Sequence, residues 1–157
     1  MTAKNHQDLL HDSLYGVFRD DEHEFRVLPA EEGATACKVL YFIRSTAIMA
    51  RLDEAFGPFG WHTTVHDVEG PAGKRGLAVS LTVNIDGREV TRTSVGNQHA
   101  SAFEGIVGAY DGAFARAAAQ LGVGRYLWEI PEIFVELNED GDLTKHPLDL
   151  LMAALNG

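Results

Sequence analysis

The stretch from Leu77 to Val95 constrains the fold more than any other part of the chain. LAVSLTVNI sets apolar Leu77, Val79, Leu81, Val83 and Ile85 at every second position, the period of a half-buried strand. Asp86-Gly87 follows, and both positions tolerate positive φ, so REVTRTSV (88–95) returns antiparallel in a hairpin. A two-residue turn faces Ile85 with Arg88, Val83 with Val90 and Leu81 with Arg92. Arg88 and Arg92 then lie in a row on one surface.

The apolar side of such a hairpin needs a second layer. Residues 101–121 supply a helix on which Phe103, Ile106, Val107, Tyr110, Phe114, Ala117 and Leu121 share one face. Another face is almost bare: Gly105, Gly108, Ala109 and Gly112. Each glycine inside a helix costs about 1 kcal/mol against alanine, so this face implies close approach of a sheet or of a neighbouring subunit. Upstream, KVLYFI (38–43) reads as a strand, and STAIMARLDEAF (45–56) as a helix with Ile48, Met49, Leu52 and Phe56 at helical spacing and Ser45 or Thr46 as N-cap. GPFG (57–60) ends that helix. WHTTVHDV (61–68) is extended, and EGPAGKRG (69–76) joins it to the hairpin. IFVEL is strand-like, and LDLLMAALN is a short C-terminal helix after a polar stretch. No internal repeat occurs. The pattern predicts one α+β domain over 24–137, an acidic, partly ordered arm over 1–23, and a polar linker with a short helix over 138–157.

A net charge of −10 ordinarily argues against phosphate binding. Its distribution along the chain changes that inference. Residues 1–33 hold eight acids and three bases, 129–157 hold seven acids and one base, and the stretch between carries nine bases against eight acids. The middle can segregate its bases onto one surface. One cysteine, Cys37, builds neither an internal disulfide nor a CxxC metal site, and reads as a small buried hydrophobe in a reducing compartment. No stretch approaches the roughly 18 apolar residues of a membrane span, and the N-terminus lacks a signal-peptide pattern, so the expectation is a cytoplasmic protein with no membrane partner.

Motifs for catalysis are missing. GPAGKRG lacks P-loop spacing, because two residues separate Gly70 from Gly73 and Arg75 follows Lys74. GVG (122–124) has no third glycine and follows a helix rather than a strand. His62 and His66, four apart on a strand, are separated by about 13 Å and do not share an ion; Asp67 and Glu69 are adjacent, and His99 lies further along the chain. The expectation is no cofactor, no metal and no enzymatic activity. What remains is a set of bases interleaved with aromatics in the middle of the chain, which can supply the positive groove of a single-strand binder and is equally the solvated surface of an ordinary domain.

Two segments carry a more specific signal. KVLYFIRSTAIMARLDEAFGPFGW (38–61) and DGAFARAAAQLGVGRYLW (111–128) flank the hairpin in order. They resemble the Rad-fifty-two/DdrA-type family of single-strand annealing proteins, in which a KVxY strand leads to a helix ending in an FG turn with a following Trp, and a long helix ends in a KRAAxxFGIGRYLY-like pattern. The resemblance covers about residues 24–137. It implies an antiparallel sheet with a β-hairpin packed on a long helix, ring-forming homo-oligomers, and single-stranded DNA as partner, annealed without nucleotide hydrolysis in repair or recombination, with recombination or replication proteins as further partners. Lys38 matches the family's phosphate-contacting lysine, and Arg116 the arginine of a Lys-Arg pair whose lysine is Ala115 here. Lys74 and Arg75 fall at the hairpin tip where the family places bases, and Arg125 with Tyr126 matches GRYL. With Arg88 and Arg92 these form the expected DNA-binding set. Two other classes stay open: an acidic oligomeric protein-interaction scaffold, and a small metal-dependent enzyme.

Overall fold

The computed structural model describes residues 5–97 and 102–157. The chain is α+β, with four α-helices and two three-stranded antiparallel sheets among the described residues. It divides into two compact units, one comprising Met1–Gly16 and Ser45–Arg125, the other Val17–Arg44 and Tyr126–Gly157.

The first unit contains helices α1 (His6–Tyr15) and α2 (Ser45–Phe56), strands β3 (Trp61–Glu69), β4 (Arg75–Ile85) and β5 (Arg88–Asn97), and helix α3 (Ala102–Ala119). The second contains β1 (His23–Val27), β2 (Ala36–Ile43), β6 (Ile133–Glu136) and α4 (Pro147–Asn156). Where the sequence suggests a partly ordered arm, His6–Tyr15 is helical. Asn5 and Asp8 close it with a reciprocal capping box, each side chain accepting the other's backbone N–H. The strand 36–43 joins a sheet of its own instead of the hairpin sheet, because its edges are taken by β1 and β6.

The hairpin has the register its alternation predicts: Ile85 pairs Arg88, Val83 pairs Val90 and Leu81 pairs Arg92. Asp86 and Gly87 have φ of 53° and 77°, and the Gly87 N–H donates to the Asn84 side chain at 2.9 Å. β4 is central in the order β3-β4-β5, and its Val79, Leu81 and Val83 are fully buried, each stabilising by about 1.5–3 kcal/mol.

The helix over this sheet buries the later part of its apolar face, where Phe114 and Ala117 are fully covered and Tyr110 partly, but not its first turns. Its buried residues include Ala109, Ala113, Phe114, Ala117 and Ala118, while Ile106 and Val107 are about half exposed. Small residues face the sheet because β5 comes very close: a Cβ on Gly96 would lie 1.9 Å from the Ala109 carbonyl oxygen. Gly108 and Gly112 point away from the sheet, with open space at Gly108 and only the Arg116 side chain near Gly112. The side chain of Phe103 and residue His99 lie outside the described residues. Phe114 anchors the helix by stacking with Trp61 and Tyr110 at 6.0 and 5.8 Å between ring centroids. Ser45 begins α2 rather than preceding it, and its hydroxyl donates to Asp111 of α3 at 2.8 Å.

In the second unit Cys37, Val39 and Val135 are buried among Val27, Tyr41, Leu137 and Leu150, so Cys37 is the small buried hydrophobe its isolation suggests. The Tyr41 hydroxyl donates to the Pro147 carbonyl at 2.7 Å, and burial pushes its ionisation up to about 12. No helix among the described residues is long and apolar enough to cross a membrane.

Gly96→Ala tests the helix-sheet contact. The added methyl must push α3 off β5, so the variant is expected to lose about 1–3 kcal/mol or more in denaturant unfolding, whereas Gly108→Ala, with open space, should be neutral or stabilising.

Candidate nucleic-acid interface

Parity along the hairpin sheet decides which groups of β5 face solvent. The Asn84 N–H donates to the Gly60 carbonyl at 2.9 Å, so Asn84 points its backbone polar groups at β3 and its odd-numbered neighbours point theirs at β5. On β5 the backbone groups of Thr91, Thr93 and Val95 therefore face outward, away from β4. Each of these three edge carbonyls is taken by a side chain. Arg92 Nη1 donates to Thr91 O at 3.1 Å, Gln120 Nε2 to Thr93 O at 3.0 Å, and Arg116 Nη1 to Val95 O at 2.7 Å. Arg116 of α3 and Gln120 just after it reach the edge because the glycine contact seats the helix directly against β5.

This arrangement closes β5 to strand addition through its acceptors and fixes two guanidinium groups along an exposed edge. A guanidinium carries five N–H donors, and one used on a carbonyl leaves the rest to meet an oxyanion. Arg88 lies on the same side of β5, two positions along the row from Arg92, and is exposed. Lys74 and Arg75 are exposed where β3 turns into β4, after a turn in which Ala72 and Gly73 both have positive φ. Five of the seven bases in the expected set thus stand on the surface of the first unit.

The remaining two are tied to groups of their own units. Lys38 is on β2 in the second unit, where its ammonium donates to Glu132. Arg125 donates to the carbonyls of Ala119 and Gln120 at 2.8 and 2.7 Å and to the Tyr15 hydroxyl at 2.7 Å, and its guanidinium lies 5.1 Å from the Tyr15 ring centroid. It serves as the C-terminal cap of α3. Gly122 (φ 108°) admits Tyr15, since a Cβ there would lie 2.3 Å from that ring. Tyr126 acts within the second unit. Its hydroxyl sits 2.6 Å from Nε2 of buried His23, whose Nδ1 is 2.8 Å from the Arg19 carbonyl, and it accepts the Phe18 N–H at 3.2 Å. A carbonyl only accepts, so His23 Nδ1 donates to that of Arg19.

The other face of the hairpin sheet is flat and almost uncharged. Period two and the register put His62, Thr64 and His66 beside Thr82, Ser80 and Ala78, and beyond them Thr91, Thr93 and Val95. Hydroxyls pair across it, Ser80 with Thr93 at 2.7 Å and Thr82 with Thr91 at 2.8 Å. Among the described residues no three His, Cys, Asp or Glu side chains converge on a metal position. Sequence reading missed Gln120, whose signal would have been its one-turn spacing from Arg116. Compared with known protein families, characterised proteins and solved structures, the chain matches none.

Tyr126→Phe should leave His23 and the Phe18 N–H without their shared partner. The expected loss is about 1–3 kcal/mol in thermal or denaturant unfolding.

Proposed function

We propose that the chain binds single-stranded DNA without sequence preference and promotes annealing as a homo-oligomer, without nucleotide hydrolysis. The observation carrying this reading is the β5 edge, where Arg92 and Arg116 are oriented by carbonyls in line with Arg88 on an exposed strand. Groups held this way contact a phosphate backbone and ignore base identity. Counterion release supplies affinity, and neutralised phosphates let a second strand approach.

The partition of charge supports it. The first unit holds eight Lys and Arg against ten Asp and Glu, the second five against thirteen, so they carry −2 and −8 of the total −10. Two surfaces of the first unit leave room for self-association. The outer side of α3 is bare at Gly108 and Gly112, and the open sheet face is flat and small-residued. Contact between two different patches is heterologous and gives a ring where its rotation closes. The resemblance of residues 38–61 and 111–128 to the annealing family points the same way.

A second reading, a protein-interaction scaffold, is favoured by the second unit. There Phe42 and Phe134, 46% and 54% exposed, share the sheet face opposite Cys37 and Val39 amid an excess of acid.

Salt-titrated binding of a mixed-sequence single strand separates the two. Arg92→Ala and Arg116→Ala should each weaken binding to all sequences alike and reduce the slope of log affinity against log salt by about 0.7. An unchanged slope removes the β5 edge from the site, and no binding by the unaltered chain leaves the scaffold. Light scattering is expected to give a mass several times that of one chain, and a monomer across micromolar concentrations would sink the ring.

A further inference from the structure

The most exposed large apolar side chain among the described residues is Phe59, at 99%, where Trp128 follows at 63%. It sits at the tip of the turn between α2 and β3, and both flanks of that turn are pinned. The Gly57 N–H closes α2 on the Asp53 carbonyl at 2.8 Å, and the Gly60 N–H returns to the Gly57 carbonyl at 3.0 Å. Gly57 has a φ of 79°, Pro58 locks its own, and a Cβ on Gly60 would lie 1.9 Å from the Phe56 carbonyl oxygen. The Gly60 carbonyl is held in turn by Asn84. A rigid turn therefore presents a ring that contributes nothing to the core, at a position where any polar residue would serve the fold.

We infer that Phe59 is a stacking platform for one unpaired nucleobase, a role that deepens the single-strand reading above and rests on it. The surroundings choose the occupant. A protein anchor needs a contiguous desolvated patch around its aromatic, and this ring is flanked by Gly57, Pro58 and Gly60. A nucleobase requires only one free π-face. The phosphate partner is at the same end of the sheet: Gly60 bonds Asn84, Asn84 pairs Glu89, and Arg88 is the next residue, exposed, at the β4–β5 turn. Asp86 of that turn is met by His6 at 3.4 Å, which offsets part of the local acid when the imidazole is protonated.

The test compares oligothymidine with an abasic strand of equal length, hence equal phosphate charge, on the full chain. The unaltered protein is expected to prefer the strand with bases. Phe59→Ala should lose affinity for it by about five- to a hundredfold, the range of one base-aromatic stack, with the salt slope, melting temperature and oligomer mass unchanged. Phe59→Trp should keep the preference and show fluorescence quenching beyond that of Trp61 and Trp128 in the parent. If the parent binds and Phe59→Ala discriminates between the strands equally well, the platform is refuted while the single-strand reading stands. Absence of binding by the parent overturns both. A changed oligomer mass in Phe59→Ala would make Phe59 a subunit contact and overturn the platform.

Discussion

The first unit depends on one approach of backbone to backbone, Gly96 of β5 against Ala109 of α3. With no Cβ at Gly96, the helix settles low enough for Ala109, Ala113 and Ala117 to be almost fully buried, and Phe114 drops between Trp61 and Tyr110. The same seating brings Arg116 and Gln120 within hydrogen-bond reach of the β5 edge. Core packing and the orientation of Arg116 are therefore consequences of one contact. A side chain at position 96 would raise the helix and detach both donors from the edge.

The hairpin was legible because alternation over nine residues and an Asp-Gly turn agree at two levels, and register follows from turn length. The extent of helix α2 was equally plain, although Ser45, read as a cap, is its first helical residue. The orientation of α3 was harder to read. Phe114 and Ala117 of its apolar face are fully buried, but the close approach at Gly96 also buries Ala109 from the glycine-rich face, and Ile106 and Val107 near the start of the helix are left half exposed. The separation of β2 from the hairpin sheet depends on nonlocal pairing with β1 and β6, which no local pattern encodes.

Basic residues divide by where their donors go, and that is the part of a site that sequence carries worst. Arg125 and Arg116 both lie near the end of α3, and both bind backbone carbonyls. Arg125 binds those of the last helical turn and is covered by Tyr15, whereas Arg116 binds an edge carbonyl and remains exposed. Arg51 follows the first pattern, donating to the carbonyls of Ser13 and Gly16 at 3.0 and 2.8 Å and so closing the end of α1. An arginine spent on a helix C-terminus is a structural cation. The distinguishing signal is a neighbouring glycine that admits a covering aromatic, as Gly122 admits Tyr15.

The fold also redistributes charge in a way a linear count does not foresee. Acid at the two chain ends suggests a screen on both sides of a neutral core, but α1, with Asp8 and Asp12, belongs to the first unit and the strongly acidic 17–33 stretch to the second. The first unit, at −2, has little long-range attraction for a polyanion, and beyond about 10 Å in 0.1 M salt even that is screened. On the proposed reading, affinity for a strand arises at contact, from the five exposed bases, and is a sum easily reversed by salt. Repetition of the same small site around an assembly changes the outcome, since each further engagement is intramolecular and avidity rises without new kinds of contact. On the proposed reading the oligomer is what turns a weak edge into a binding surface, and the bare outer side of α3 matters to DNA as much as the arginines do.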